Sequence, residues 1–198
     1  MLPLSEKRVT VVGMGLSGTA AATLLCRHGA KVALTDDKTE RELKETMSAL
    51  EELQIDYRLG GIDSELLFRS DLIVLSPGVP SCLSPIELAR KAGVQIVSEI
   101  ELASAFCEAP AIAVTGTNGK TTTTSLIHHM AVRAGLRSVL AGNMEVPFSQ
   151  VVGQGPLDIV VLEVSSFQLE NIISFRPAVG VALNISPDHL DRYQNMED

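Results

Sequence analysis

The chain of 198 residues carries 16 Lys and Arg against 24 Asp and Glu, which gives a formal net charge of −8. At roughly 100–200 residues per domain, this length allows one large domain or two small ones, and a hydrophobic fraction of 45% excludes global disorder. The chain is acidic and has only five Phe, two Tyr and no Trp. We therefore expect no nucleic-acid partner, because such a partner needs a basic surface or stacking rings.

Cysteine usage and hydropathy indicate the cellular compartment. The cysteines are scattered, with no CxxC pair, which predicts reduced thiols in a cytoplasmic protein; they are Cys26, Cys82 and Cys107. No apolar run reaches the roughly 18 residues of a membrane span. The apolar stretch after residue 8 is interrupted by glycines, so we expect neither a signal peptide nor membrane insertion.

Short β-branched runs alternate with helical patterns in the first half of the chain. Strands are predicted at residues 9–12, 31–35, 71–75 and 94–97. Helices are predicted at residues 17–28, 39–53 and 84–92. Such alternation is typical of a parallel sheet with helices on both faces.

The same alternation restarts in the second half. Strands are predicted at residues 111–115, 138–141, 158–162 and 179–183, with a helix at residues 120–134. The join between the halves falls within residues 98–110, where a helical pattern covers residues 99–106. The sequence predicts an α/β protein, with a Rossmann-like domain over residues 1–98 and a phosphate-loop (P-loop) α/β domain over residues 99–198.

A glycine turn follows the first predicted strand and opens the first helix. Residues 13–18 read Gly-Met-Gly-Leu-Ser-Gly, which matches GxGxxG in the required strand–turn–helix context. Asp36 and Asp37 end the next strand, where a carboxylate can accept hydrogen bonds from a ribose. The default interpretation is NAD binding, and the alternative is a turn that only packs the helix against the strand. The motif alone does not identify the nucleotide.

A second glycine turn lies about a hundred residues further on. Residues 114–121 read Val-Thr-Gly-Thr-Asn-Gly-Lys-Thr and end as a phosphate-binding loop does. In such loops backbone N–H groups hold phosphates, the lysine (here Lys120) reaches the β- and γ-phosphates, and the hydroxyl (here Thr121) can bind Mg²⁺. The usual pattern has Gly six positions before the lysine, where this chain has Val114. The sequence therefore predicts an ATP site built on a variant loop.

Two further residues are candidate metal ligands. Glu163 ends an apolar strand, which places its carboxylate at the carboxyl edge of the sheet, beside the predicted phosphates. His189 follows the strand at residues 179–183 and falls at the same edge, so we expect it to bind a second metal ion or the substrate. The other histidines lie in helical patterns and are interpreted as structural; they are His28, His128 and His129.

Three motifs together resemble the Mur ligases, the ATP-dependent amide-forming enzymes of peptidoglycan synthesis. These are Gly-Thr-Asn-Gly-Lys-Thr at residues 116–121, Glu-Val-Ser-Ser-Phe-Gln-Leu at residues 163–169, and the run from Asn184 to Tyr193. The last two motifs are most similar to the D-glutamate-adding members. The resemblance implies that UDP-N-acetylmuramoyl-L-alanine is joined to D-glutamate through an acyl phosphate, with ATP and Mg²⁺ as cofactors.

The resemblance also implies site residues. The ATP-binding residues would be Gly116, Thr117, Asn118, Gly119, Lys120, Thr121 and Thr122. The residues binding the UDP substrate, rather than NAD, would be Gly15, Leu16, Ser17, Asp36, Asp37, Ser76, Pro77, Gly78, Asn143 and Ser165. The metal ligands would be Thr121, Glu163 and His189, and the catalytic residues Lys120, Glu163 and His189. No covalent enzyme intermediate is required, so Ser165 is not expected to act as a nucleophile.

Two alternatives to a ligase remain open from the sequence: an NAD-binding oxidoreductase and a non-catalytic nucleotide-binding module. The family has a carbamylated lysine about fifteen residues beyond the position of His189, and this sequence stops at Asp198. We therefore expect an N-terminal fragment with a truncated second domain, inactive alone. The sequence does not reveal the oligomeric state, for which a monomer is the default expectation.

Overall fold

The computed structural model describes residues 4–144, 146–188 and 192–193. Within them the chain forms two parallel sheets, and the α/β class predicted from the sequence is confirmed. The first sheet has the strand order β3-β2-β1-β4-β5. Its strands are β1 (Arg8–Val12), β2 (Lys31–Asp36), β3 (Ile55–Leu59), β4 (Leu72–Leu75) and β5 (Gln95–Ser98).

The central strands of this sheet are apolar because helices cover both of their faces. All four residues of β4 are buried and apolar, which is the continuous pattern of a buried parallel strand. Val9, Val11 and Val12 of β1 are buried as well, with the buried Thr10 between them. In the register, Val12 pairs with Thr35 on one side and Leu75 on the other. The turns that follow these three strands therefore meet at one carboxyl edge.

The helices around the first sheet are α1 (Leu16–Arg27), α2 (Lys44–Ser48), α3 (Ser64–Phe68), α4 (Ser84–Lys91) and α5 (Glu99–Ser104). The long helix predicted over residues 39–53 was wrong, because only the five residues of α2 are helical there. The Glu42 carboxylate accepts hydrogen bonds from the Thr39 amide and hydroxyl, and such local bonds compete with a helix. The edge strand β3 and helix α3 were missed; β3 alternates between half-buried and exposed residues.

The second sheet has the strand order β7-β8-β6-β9. Its strands are β6 (Ala111–Thr115), β7 (Ser138–Gly142), β8 (Ile159–Glu163) and β9 (Val179–Ala182). Its helices are α6 (Lys120–Arg133), α7 (Phe148–Val151) and α8 (Ser166–Leu169). The register places Glu163, the last residue of β8, between Val114 of β6 and Gly142 of β7.

Helix α5 connects the two sheets and contributes to the core of each. Its Leu102 belongs to the apolar cluster around α1 and β1, whereas Ile100 and Ala103 pack with Phe148 of α7 in the cluster of the second sheet. Both carboxylates of this helix, Glu99 and Glu101, are buried. In the part of the chain that the structure describes, no helix is long and apolar enough to cross a membrane.

Candidate functional site

The first glycine turn is closed by two contacts that leave no room for a side chain. Gly13 has φ +93°, and a Cβ added at Gly18 would lie 1.8 Å from the Gly13 carbonyl oxygen. The Ser76 hydroxyl, from the turn after β4, donates to the same carbonyl at 2.8 Å. The first and third glycines therefore serve the packing of α1 against the sheet, as in the alternative interpretation of the motif.

The middle of the turn is open. Gly15 is exposed, with no atom within 4 Å of an added Cβ, and Leu16 is 67% exposed. No side chain caps α1, and its first turn contains no acidic residue. Among the described residues, the backbone N–H groups of residues 16–18 have no acceptor. A free helix N-terminus with an open glycine in front of it is suited to a diphosphate.

Asp36 and Asp37 differ in what they contact. The buried Asp36 carboxylate accepts the Met14 N–H at 2.6 Å and the Lys38 N–H at 2.9 Å. Asp36 therefore ties the glycine turn to the end of β2, while Asp37 is exposed. Pro77 is half-buried and Gly78 exposed at the same edge. Contact of these residues with a uridine remains a prediction.

The second glycine turn presents a row of free N–H groups. Gly116 has φ +140°, and Gly119, which precedes α6, has φ +87°. Such backbone angles favour glycine. The described residues offer no acceptor to the N–H groups of residues 119–122, and the first N–H bonded back into the helix is that of Thr123, to Gly119. The turn therefore has the donors that an anion needs at a helix N-terminus.

Lys120 lies across this loop. Its Nζ is 2.7 Å from the Gly116 carbonyl oxygen and 3.1 Å from that of Thr117. A lysine ammonium has three N–H donors, so one donor is left for a phosphate oxygen with both of these bonds intact. The side chain is half-buried rather than free in solvent, which holds its charge beside the free N–H groups.

The predicted metal ligands Thr121 and Glu163 are in direct contact. The Thr121 hydroxyl donates to Glu163 Oε2 at 2.7 Å, and the Asn143 amide lies 3.4 Å from Glu163 Oε1. Glu163 is only 4% exposed. Gly142, which was not singled out from the sequence, makes this arrangement possible: its φ is +109°, and an added Cβ would lie 2.1 Å from the Glu163 carbonyl oxygen.

Of the remaining residues singled out from the sequence, some have structural contacts and one lies outside the described residues. Ser165 is the N-cap of α8 and forms a capping box with Gln168, so its hydroxyl has a structural partner, and its contact with substrate remains a prediction. His189 lies outside the described residues. Two of the other histidines have structural contacts, as predicted: His28 lies against the Phe106 ring, and His128 Nδ1 is 2.9 Å from the Ser138 hydroxyl.

Arg192 joins the two predicted binding edges. Its guanidinium donates to the carbonyl oxygens of Pro77 (2.8 Å) and Val79 (3.2 Å) and pairs with Glu170 (3.0 Å). It also lies 4.0 Å from the centre of the Phe167 ring. Glu170 was not predicted from the sequence, because nothing local distinguishes it from other surface acids. The contacts attach the loop after β4 to the end of α8.

The geometry defines an α/β protein with two phosphate-binding-type turns, one at the carboxyl edge of each parallel sheet. Residues 7–98 match the family model of the Mur ligase MurD-like N-terminal domain, and residues 114–198 match that of the Mur ligase middle domain. The chain belongs to the Mur ligase family.

Curated relatives lead to the same family. The UDP-N-acetylmuramoylalanine–D-glutamate ligase of Geotalea uraniireducens is 45% identical over 198 residues, which cover 100% of this chain and 44% of the relative. The protein of the same name from Salinibacter ruber is 48% identical over 194 residues, which cover 95% of this chain and 42% of the relative. The chain thus spans less than half the length of these curated relatives.

Solved structures agree on the fold. The UDP-N-acetylmuramate–alanine ligase of Thermotoga maritima matches with a TM-score of 0.56 and 25% identity, over 96% of this chain and 44% of that one. The UDP-N-acetylmuramate:L-alanyl-γ-D-glutamyl-meso-diaminopimelate ligase of Neisseria meningitides matches with a TM-score of 0.59 and 22% identity, over 98% of this chain and 65% of that one.

Proposed function

We propose that this chain forms the UDP-substrate-binding and ATP-binding part of a ligase that adds D-glutamate to UDP-N-acetylmuramoyl-L-alanine. Relatives named for this activity support it at 45% and 48% identity. The single observation that carries the nucleotide part is the loop at residues 116–122, where free N–H groups, Lys120 and the Thr121–Glu163 pair converge. The relatives support a ligase over an NAD-binding oxidoreductase, which would leave Lys120 and Glu163 unexplained.

In the proposed reaction, the substrate carboxylate attacks the γ-phosphorus of ATP and ADP leaves, forming an acyl phosphate. The amine of D-glutamate then attacks the acyl carbon, and inorganic phosphate leaves as the amide forms. The physical difficulty of the first step is that two anions must approach each other. Lys120 and the free N–H groups of residues 119–122 provide positive potential where the negative charge gathers.

The donor set at the end of β8 suits Mg²⁺. A hydroxyl and a carboxylate oxygen, from Thr121 and Glu163, lie 2.7 Å apart, and Mg²⁺ prefers oxygen ligands, of which phosphates and water supply most. Among the described residues, no three His, Cys, Asp or Glu side chains form a metal cluster. When bound, the ion would neutralise phosphate charge. His189 is proposed as a ligand of a second Mg²⁺.

The UDP end of the substrate is proposed to bind at the first glycine turn. The free N–H groups at the start of α1 would hold the diphosphate, beside Gly15, Leu16 and Ser17. Asp36 and Asp37 would approach the uridine, with Ser76, Pro77 and Gly78 lining the same cleft. Asn143, next to Glu163, and Ser165 would contact the muramoyl end, close to the ATP site.

We also propose a division into domains at residues 1–98 and 99–198, supported by the two separate sheets, of which the first ends with Ser98. The protein is proposed to be a cytoplasmic monomer. UDP-N-acetylmuramoyl-L-alanine and D-glutamate would be its partners as substrates.

Isothermal titration of the chain with three ligands tests this function. We expect UDP-N-acetylmuramoyl-L-alanine and Mg-ATP to bind and NADH not to bind. Lys120→Ala should abolish Mg-ATP binding but not UDP-substrate binding, and Lys91→Ala, at an exposed position on α4, should bind both as the wild type does. Binding of NADH in place of the UDP substrate would overturn the proposal.

A further inference from the structure

Asn184, two residues beyond β9, makes three hydrogen bonds to the second glycine turn. Its carbonyl oxygen accepts the Thr117 N–H at 3.1 Å. Its side-chain Oδ1 accepts the Asn118 N–H at 2.9 Å, and its Nδ2 donates to the Asn118 carbonyl oxygen at 2.9 Å. The side-chain amide thus binds the backbone of Asn118 at both of its hydrogen-bonding groups, as a neighbouring strand would.

The loop and this segment approach each other closely along their backbones. A Cβ added at Gly116 would lie 3.0 Å from the Asn184 carbonyl oxygen and 3.1 Å from its nitrogen. A second tie lies beside the first: the Ser186 N–H donates to the Thr117 hydroxyl at 3.0 Å. The side of the loop that faces residues 184–186 is therefore fixed by hydrogen bonds rather than by apolar packing.

The pattern of occupied and free N–H groups changes at Asn118. Its own N–H is taken by Asn184, whereas the described residues offer no acceptor to the next four N–H groups, those of residues 119–122. Orienting the peptide of Asn118 sets the direction of the chain immediately before these donors. Donors held in place before the ligand arrives bind more tightly, because less order must be created on binding.

We propose that Asn184 is a positioning residue for nucleotide binding, holding residues 116–119 in the conformation that directs the free N–H groups at phosphate. The inference rests on the proposed ATP site and extends it to a residue in the segment that follows β9. Asn184 and Asn118 are both exposed, so their bonds contribute little to folding, and their loss should be detected in nucleotide affinity rather than in stability.

Two variants test the role. Asn184→Ala removes both side-chain bonds, and we expect Mg-ATP affinity to fall by about tenfold, the effect of one or two lost hydrogen bonds. Asn184→Asp keeps the shape and one acceptor but loses the donor and adds a negative charge beside the loop, so its affinity should fall further. Ile185→Ser, at the adjacent 82% exposed residue, is the matched control and should bind as the wild type does.

The readouts separate positioning from general damage. In both Asn184 variants we expect UDP-N-acetylmuramoyl-L-alanine to bind unchanged, Tm to shift by no more than about 4 °C, and amide exchange at residues 116–119 to be faster without nucleotide. Wild-type Mg-ATP affinity in both variants, or an equal loss of UDP-substrate affinity, would overturn the inference. A wild-type chain that binds no Mg-ATP would instead overturn the proposed function on which it rests.

Discussion

The Thr121 hydroxyl donates a 2.7 Å hydrogen bond to Oε2 of Glu163, a residue 42 positions away that is only 4% exposed. The contact joins the first turn of α6 to the end of β8. A buried carboxylate with a hydroxyl as partner beside a phosphate-binding-type loop offers the oxygen ligands that Mg²⁺ prefers, so Thr121 and Glu163 would hold the proposed ion and it would neutralise phosphate charge there.

Thr121→Val preserves the shape of the side chain but removes the hydroxyl. We expect the dependence of ATP affinity on Mg²⁺ to be lost, so that titrations with and without the ion give affinities within about threefold of each other. Thr123→Val, on the same helix and outside the proposed ligand set, is the control and should keep the wild-type dependence. Retention of full Mg²⁺ dependence by Thr121→Val would remove this residue from the metal site.

The glycine turn after β1 separates a folding role from a binding role. Gly18→Ala places a Cβ against the Gly13 carbonyl oxygen, so we expect overpacking to lower the free energy of unfolding by about 3 kcal/mol. Gly15→Ala meets no atom within 4 Å and should leave stability within about 1 kcal/mol, but it should weaken UDP-substrate binding, where backbone must approach a diphosphate. Urea unfolding measures the stability of both variants, and calorimetry measures their UDP-substrate affinity. A stable Gly18→Ala variant, or a Gly15→Ala variant with wild-type affinity, would contradict this division of roles.

The buried carboxyl of Glu99 should make the free energy of unfolding depend on pH. Burial raises the pKa of this carboxyl to about 7 from its ordinary 4.5, although the hydrogen bond from the Ser149 N–H acts to lower it. The Glu99 Oε2 has no hydrogen-bond partner among the described residues. The folded protein therefore holds a proton that the unfolded chain releases, and stability falls as pH rises from 4.5 to about 7.

Glu99→Gln should accordingly stabilise the protein at pH 8 by an amount on the order of 3 kcal/mol, with the gain vanishing near pH 4. Urea unfolding of wild type and variant at both pH values measures the difference. An equal effect of the substitution at both pH values would show that titration of Glu99 does not contribute.

Glu101, two residues further along α5, behaves in the opposite way. Burial alone would raise its pKa, but hydrogen bonds from Ser174 and from the N–H groups of Ile173 and Phe175 outweigh burial, and the pKa is lowered. Its stabilising contribution is therefore present above the ordinary pKa of 4.5 and is lost as pH falls below it.

Glu101→Gln turns an amide NH₂ toward these donors, and we expect a loss of about 2–4 kcal/mol at pH 7 that shrinks as the pH falls below about 4. Glu108→Gln, an exposed acid just beyond the same helix, is the control and should change stability by less than about 0.5 kcal/mol. Thermal unfolding across this pH range distinguishes the two. A pH-independent loss in Glu101→Gln would rule out the charged carboxylate as the cause.

Much of the fold was predictable because its signals are local. Both glycine turns lie where a strand pattern gives way to a helical one. Strand β4 is a continuous apolar run, as are the first four residues of β6 and of β8, and β1 is rich in valine. The errors came where local signals are weak or compete. The helical spacing over residues 39–53 overestimates the length of α2, because it includes the turn closed by Thr39 and Glu42. Strand β3 was not predicted, because an edge strand needs no continuous apolar run.

The sequence by itself determined the parallel α/β class, the two glycine turns and the residue types for which phosphate and metal binding is proposed, since these depend on periodicity and on residues adjacent in the chain. Only the tertiary structure decided which of them meet. Strand order in the second sheet brings Glu163 to Thr121, the β9 side brings Asn184 to Asn118, and Arg192 reaches the Pro77 carbonyl 115 residues away. Contacts at such separations depend on how the strands are ordered and how closely backbones approach, and a local sequence pattern predicts neither of these.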